Sequence, residues 1–98
     1  MILEDIYSVI LERQKNPQSD SYVSSLISQG KDEILKKIGE EAIEVIVASK
    51  SGDRQKVIHE FADLWFHCLV LMAEEGVTVS DILLELENRS GRKRKAHE

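Results

Sequence analysis

Two pairs of acidic residues in this chain have a type and spacing that could do chemistry. Glu41 is followed by Glu44, and Glu60 by Asp63, so the members of each pair are three residues apart. Because residues three apart on a helix share a face, each pair would present two carboxylates on one side. Several carboxylate oxygens in one place bind hard divalent cations such as Mg²⁺. A cation held in this way can neutralise phosphate groups and orient water for hydrolysis.

The segments that carry these pairs are unusually apolar for acidic helices. Between residues 61 and 73, only Asp63 and His67 are neither apolar nor cysteine. A helix that is apolar on nearly all sides is typical of a buried position, and buried like charges are costly unless something compensates them. Glu41 projects into the middle of an apolar face, with Glu40 at its edge. A single acidic pair usually marks a solvated helix face, whereas two pairs on apolar segments favour a metal site.

Periodicity and turn residues predict the elements that must position these acids. Helices are predicted at residues 2–15, 22–28, 32–50, 54–75 and 81–89. The predicted N-caps are Ser21, Asp32, Asp53 and Ser80, and the predicted helix stops are Gly30 and Gly76. The short turn at 51–53 makes the two acidic helices antiparallel neighbours, which brings their carboxylates within reach of each other. With no strand pattern, the predicted fold is all-α, a small antiparallel bundle of four to five helices.

Length and composition predict a single domain that binds neither nucleic acid nor membranes. Residues 1–91 are expected to form the domain, and residues 92–98 a basic, disordered tail. A formal net charge of −5 disfavours nucleic-acid binding. Cys68 is the only cysteine, which suits a reducing compartment. We see neither a signal peptide nor a membrane span, so the predicted location is the cytoplasm.

The apolar surface of the two acidic helices exceeds what a chain of 98 residues can cover. Helix 54–75 is apolar on nearly all sides, and Ile43 and Val47 lie behind the main apolar face of helix 32–50. We therefore expect a homodimer, in which a second copy buries the remainder and completes the bundle.

The chain resembles the phosphoribosyl-ATP pyrophosphohydrolases, a family of the all-α nucleoside triphosphate pyrophosphohydrolases. The residues that carry the resemblance are Arg13, Ser21-Tyr22, Leu26, Gly30, Lys36-Lys37-x-Gly39-Glu40-Glu41-Ala42-x-Glu44-Val45, Glu60-x-Ala62-Asp63-Leu64 and His67. The resemblance extends from about residue 6 to residue 89. Asp20 and Val23 depart from the glycine and threonine that the family usually has around Ser-Tyr, and Phe66 replaces a usual tyrosine.

The resemblance implies Mg²⁺-dependent hydrolysis of the α–β phosphoanhydride of phosphoribosyl-ATP, which yields phosphoribosyl-AMP and pyrophosphate in histidine biosynthesis. The implied metal ligands are Glu41, Glu44, Glu60 and Asp63. Glu40 and Glu41 are the implied catalytic residues, with Glu40 either a further ligand or the base that activates water. The implied substrate contacts are Arg13, Ser21, Tyr22, Lys36, Lys37, His67 and Arg89. For His67 a role behind the site, orienting Asp63 or the substrate, stays open, as does that of a hydrogen-bonded core histidine.

Two other functions remain open at this point. The same carboxylates would serve a house-cleaning hydrolase of ordinary or damaged nucleoside triphosphates. A helical dimerisation module without catalysis would also fit the apolar faces. Pyrophosphate release from phosphoribosyl-ATP but not from other nucleotides separates the first two, and the absence of any Mg²⁺-dependent hydrolysis would favour the third.

Overall fold

A computed structural model describes residues 1–93 of the chain, with side chains through Gly91. Five α-helices account for nearly all of this range: α1 (Ile2–Lys15), α2 (Tyr22–Gln29), α3 (Lys31–Ser51), α4 (Arg54–Glu75) and α5 (Val79–Lys93). No strand occurs among residues 1–93. The predicted all-α class is therefore confirmed.

The two acidic helices form an antiparallel hairpin, which is the most extensive helix–helix contact in the fold. Gly52 ends α3 in the left-handed conformation with φ 78°, which glycine adopts without strain. Asp53 then caps α4, because its side chain accepts a hydrogen bond from the Lys56 amide at 3.2 Å. At the other end of the hairpin, Lys31 at the start of α3 forms an ion pair with Glu75 at the end of α4. The predicted turn and antiparallel pairing of these helices are confirmed.

The start of α3 differs from the prediction. Ser21 caps α2 as expected, with its hydroxyl accepting from the Ser24 amide at 3.1 Å. Gly30 follows α2 with φ 104°, and α3 begins directly at Lys31 without a side-chain cap. The predicted N-cap at Asp32 is wrong because Asp32 already lies in the first turn of α3. There its carboxylate complements the positive end of the helix dipole instead.

The last helix begins earlier and ends later than predicted. Thr78 and Asp81 form a reciprocal cap: the Thr78 amide donates to the Asp81 carboxylate at 2.9 Å, and the Asp81 amide donates to the Thr78 hydroxyl at 3.1 Å. The predicted cap at Ser80 is therefore wrong. Helix α5 continues to Lys93, so the helix includes the first two residues of the predicted basic tail. The rest of that tail, residues 94–98, lies outside the described residues.

The core lies where α1, α2, α3 and α4 meet. Its fully buried side chains are Ile10, Leu26, Ile34 and Val70, one from each of these helices. Tyr7 ties α1 to the connection before α5, because its hydroxyl donates to the Val77 carbonyl at 2.7 Å. Within residues 1–93, no helix is long and apolar enough to cross a membrane.

Helix α4 is not covered on all sides within one chain, as its apolar pattern and the length of the chain predicted. Ile58, Phe61 and Trp65 lie about 45–56% exposed along one face of this helix. Ile43 and Val47 are exposed on α3 as well. Trp65 also lines an apolar groove of about 300 Å³ with residues of α1, α4 and α5. The chain thus leaves a large apolar surface open to solvent.

Candidate active site

Three carboxylates converge where α3 and α4 face each other. The carboxylate oxygens of Glu41 on α3 and of Glu60 and Asp63 on α4 all lie within 4.8 Å of one another. The antiparallel hairpin explains this, because it places the middle of α3 beside the first half of α4. On α4 the two acids lie on roughly the opposite side of the helix from Phe61 and Trp65, at about 100° per residue. The acidic site and the exposed apolar face of α4 are therefore separate surfaces.

The side chain of Glu41 is 13% exposed, against 42% for that of Asp63. Burial raises the pKa of the Glu41 carboxyl, and the neighbouring Asp63 and Glu60 raise it further, while His67 and Lys37 lower it. Its ionised form is thus held in a partly desolvated cleft beside like charges. A cation would relieve both effects.

Lys37 supplies the positive charge nearest to Glu41. Its ammonium lies 3.7 Å from a Glu40 oxygen and 3.8 Å from a Glu41 oxygen. Tyr22, Glu40 and Glu41 raise the pKa of Lys37, Tyr22 most strongly. Lys37 therefore stays charged at the edge of the cleft, where it could contact phosphate oxygens.

Tyr22 and His67 contact each other beside the acidic cluster. The Tyr22 hydroxyl oxygen lies 2.8 Å from His67 Nε2, and His67 Nδ1 lies 2.7 Å from the Asp63 backbone carbonyl. The rings of Tyr22 and Phe66 each meet the His67 ring edge-on, at centroid distances of 5.7 and 5.5 Å. His67 is only 4% exposed. Both roles left open by the sequence, the one behind the site and that of a hydrogen-bonded core histidine, stay predictions.

The donor set suits Mg²⁺. All three side chains offer carboxylate oxygens, the ligands that Mg²⁺ prefers, and Mg²⁺ commonly keeps several waters or substrate oxygens beside one or two carboxylates. Oxygens on opposite sides of a Mg²⁺ ion lie about 4 Å apart. The observed spacing therefore requires no more than small side-chain movements for these acids to hold one ion.

Glu40 and Glu44 do not join this group. Both are exposed, and both lie to one side of Glu41 on the helix, by roughly 60° for Glu44 and 100° for Glu40. Glu40 is linked to the cluster through Lys37, whose ammonium lies close to both Glu40 and Glu41. The metal-ligand role of Glu44 and the catalytic role of Glu40 stay predictions.

The remaining predicted contacts are distributed over the fold. Ser21 acts as the cap of α2 beside Tyr22, and Arg13 is half-buried near the end of α1. Lys36 is exposed, roughly 140° around α3 from Glu41. Arg89 on α5 donates to the Glu85 carboxylate at 2.9 Å. The structure thus brings Tyr22, Lys37 and His67 close to the acidic cluster, and the substrate contacts of all seven residues stay predictions.

His59 is a neighbour of the cluster that the sequence did not predict. His59 Nε2 lies 3.3 Å from Asp63 Oδ2, and its side chain is largely exposed. Its place four residues before Asp63 on a predicted helix was a usable signal, because side chains at this spacing meet. It could orient Asp63 or accept a proton at the mouth of the cleft.

Comparison with known proteins identifies relatives over almost the whole chain. The family described as phosphoribosyl-ATP pyrophosphohydrolase matches residues 3–90. A phosphoribosyl-ATP pyrophosphatase of Bacillus mycoides (strain KBAB4) is 46% identical over 91 residues, which cover 93% of this chain and 85% of the relative. One of Geotalea daltonii is 50% identical over 90 residues, covering 92% of this chain and 85% of the relative. One of Bacillus cereus (strain AH187) is 46% identical over 87 residues, which cover 89% of this chain and 81% of the relative.

Proposed function

Because the chain belongs to the phosphoribosyl-ATP pyrophosphohydrolase family, we propose that it hydrolyses phosphoribosyl-ATP with the aid of Mg²⁺. The α–β phosphoanhydride breaks, and the products are phosphoribosyl-AMP and pyrophosphate, in the second step of histidine biosynthesis. Phosphoribosyl-ATP pyrophosphatase activity follows from the family. The metal, the bond and the pathway step are the proposal.

The observation that carries the proposal is the convergence of Glu41, Glu60 and Asp63 within 4.8 Å. These residues would hold the metal. When bound, Mg²⁺ neutralises phosphate charge and acts as a Lewis acid on phosphate oxygens. An uncompensated cluster of this kind would repel a polyphosphate, so a cation is required for the substrate to approach.

The chain's own side chains complete the site. The Lys37 ammonium, close to Glu41, would bind a phosphate oxygen that faces away from the acids. Glu40 is exposed and ion-paired to Lys37, so it can take the proton of an attacking water once the substrate draws Lys37 away. His59 beside Asp63 offers a second place for that proton.

A homodimer is also part of the proposal. Ile58, Phe61 and Trp65 lie exposed on the face of α4 that points away from the carboxylates, and Trp65 continues into the apolar groove beside α5. Apolar patches of this extent on a small chain mark an interface. A second copy seated on this face would bury it and leave the acidic cleft open to substrate. A cytoplasmic location stays a prediction.

The test is pyrophosphate release from phosphoribosyl-ATP, ATP and a panel of deoxynucleoside triphosphates, each with Mg²⁺ and with EDTA. We expect release from phosphoribosyl-ATP alone, and only with Mg²⁺. Comparable release from the panel would favour the house-cleaning reading, which uses the same acids. No release from any substrate would favour the non-catalytic module.

A further inference from the structure

His67 is a buried histidine whose two ring nitrogens both have protein partners. Nδ1 lies 2.7 Å from the Asp63 carbonyl oxygen, and Nε2 lies 2.8 Å from the Tyr22 hydroxyl. The rings of Tyr22 and Phe66 flank it, and 4% of the residue is exposed. His67 therefore has no free polar atom with which to contact a substrate.

In the neutral imidazole, the two hydrogen bonds fix where the protons lie. A backbone carbonyl can only accept, so Nδ1 must carry a proton and donate it to Asp63. A neutral imidazole has one N–H, so Nε2 is then an acceptor. In this neutral state the Tyr22 hydroxyl donates its proton to Nε2. The remaining lone pairs of the Tyr22 oxygen can only accept.

Tyr22 stands beside the acidic cluster. It is the first residue of α2 and is 51% exposed, although its hydroxyl reaches the buried His67. Burial raises the pKa of Tyr22, Lys37 lowers it, and Glu41, Asp63 and Glu33 raise it, so most of the charged groups around Tyr22 are those of the site. A group that meets the Tyr22 oxygen therefore lies within the electrostatic influence of Lys37, Glu41 and Asp63.

We propose that His67 is a positioning residue that fixes Tyr22 as a hydrogen-bond acceptor beside the carboxylate cluster. Tyr22 then meets an N–H or O–H donor, either a sugar hydroxyl of the substrate or the Lys37 ammonium. It does not donate to phosphate oxygens, because its proton is committed to His67. The substrate in this proposal rests on the proposed function, whereas the proton arrangement does not.

The proton arrangement is tested by nitrogen NMR of the ¹⁵N-labelled protein without substrate, at mildly alkaline pH. Multiple-bond ¹H–¹⁵N spectra distinguish the two imidazole tautomers, and the signals that vanish in His67→Phe belong to His67. We expect the Nδ1–H tautomer, with the Nε2 signal moving in Tyr22→Phe and the Nδ1 signal unchanged. An Nε2–H tautomer would overturn the proposal, whether or not the protein hydrolyses phosphoribosyl-ATP.

The positioning role is tested by a double-mutant cycle on phosphoribosyl-ATP turnover. His67→Phe keeps the buried ring and removes both hydrogen bonds. We expect Tyr22→Phe and His67→Phe each to lower kcat/KM by about three- to tenfold, typical of one hydrogen bond, and the double variant to match Tyr22→Phe alone. His67→Gln, whose side-chain oxygen can replace Nε2 as acceptor, should recover most of the loss. If the losses of kcat/KM in the two single variants multiply in the double variant, or if His67→Gln recovers nothing, the positioning role is overturned.

Inhibition by pyrophosphate separates the two possible donors from a direct phosphate contact. If a sugar hydroxyl is the donor, Tyr22→Phe raises KM for phosphoribosyl-ATP and leaves pyrophosphate inhibition within twofold. If Lys37 is the donor, Tyr22→Phe weakens pyrophosphate inhibition in wild type but not in a Lys37→Met background. Further weakening in that background would mean that Tyr22 itself binds phosphate, which contradicts the proposal.

Tyr7→Phe is the matched control for lost stability. It also removes a tyrosine hydroxyl that donates a hydrogen bond, here to the Val77 carbonyl, between α1 and the start of α5. We expect Tyr7→Phe to lower the melting temperature while kcat/KM is unchanged. Equal losses of kcat/KM in Tyr7→Phe and Tyr22→Phe would mean that both act through stability, and would refute the positioning role.

Discussion

The carboxylates of Glu41 and Asp63 come from two antiparallel helices and lie within 4.8 Å of each other, with Glu60 beside them. Asp63 raises the pKa of the partly buried Glu41, second only to burial itself. Like charges at such distances repel by about 1 kcal/mol or more at an effective dielectric constant near 20. The metal-free fold therefore carries a cost at the residues that we propose to hold the metal.

Neutralising Glu41 should stabilise the metal-free protein. In EDTA at neutral pH, we expect Glu41→Gln to melt above wild type. An acid whose pKa is raised by folding destabilises the fold as the pH rises from its ordinary value through its folded value. The advantage of Glu41→Gln should therefore disappear at pH values below the ordinary carboxyl range. Thermal unfolding of both proteins across pH measures this difference in melting temperature. A difference that persists in acid would mean that Glu41→Gln acts through packing and not through charge.

Magnesium should stabilise the wild type more than it stabilises Glu41→Gln. A ligand at a hundredfold excess over its Kd adds about 2.7 kcal/mol to the free energy of unfolding. We expect Glu41→Gln to lose most of this gain at matched ionic strength. Glu44→Gln decides whether Glu44 is a ligand: a reduced gain would support it, and a wild-type gain would remove Glu44 from the site. No stabilisation of wild type by Mg²⁺ would count against the cluster as a metal site.

The exposed face of α4 should be a dimer interface. We expect the wild type to be a dimer at micromolar concentration by light scattering. Trp65 lines the apolar groove, and replacing it with a charged residue, Trp65→Glu, should weaken association by at least about thirtyfold. Losses of this size are expected for a buried Trp at an interface. Leu84→Glu is the control, since Leu84 is equally exposed but does not line the groove. A wild-type monomer with full helical circular dichroism would exclude the dimer.

The cap of α5 should be Thr78 and not Ser80. Removing the Thr78 hydroxyl in Thr78→Ala leaves the Asp81 amide without its partner, which should cost about 1 kcal/mol in unfolding free energy. Ser80→Ala should change it by less than about 0.5 kcal/mol, as expected for an exposed position. Chemical denaturation compares the two. A larger loss in Ser80→Ala would contradict the observed cap.

The sequence predicted the parts of this fold that rest on short-range rules. The Gly52-Asp53 turn determined the α3–α4 hairpin, and the hairpin brought Glu41 to Asp63. The prediction of the α5 cap was wrong because Thr78 and Ser80 are chemically alike. The reciprocal hydrogen bonds with Asp81 are what distinguish Thr78.

The side-chain network of the site could not be derived in the same way. The Tyr22–His67 contact joins residues that are far apart in the chain, and no periodicity reports on it. Glu44 shares the spacing of the other acids, but it is exposed and does not join the group that Glu41 forms with Glu60 and Asp63. Spacing identified the acidic faces, whereas the orientation of the two helices decided which acids meet.

The most direct test of the account is pyrophosphate release from phosphoribosyl-ATP with Mg²⁺ by wild type, Glu41→Gln and Glu87→Gln. Glu41→Gln keeps the volume of the side chain but removes a charge that binds the metal. Losing such a group should cost several kcal/mol of transition-state stabilisation, which lowers the rate at least about a hundredfold. Glu87→Gln makes the same chemical change on exposed α5 and should keep wild-type activity. If Glu41→Gln retains more than about a tenth of wild-type activity, a loss of less than about 1.4 kcal/mol, the carboxylate cluster is not the catalytic site.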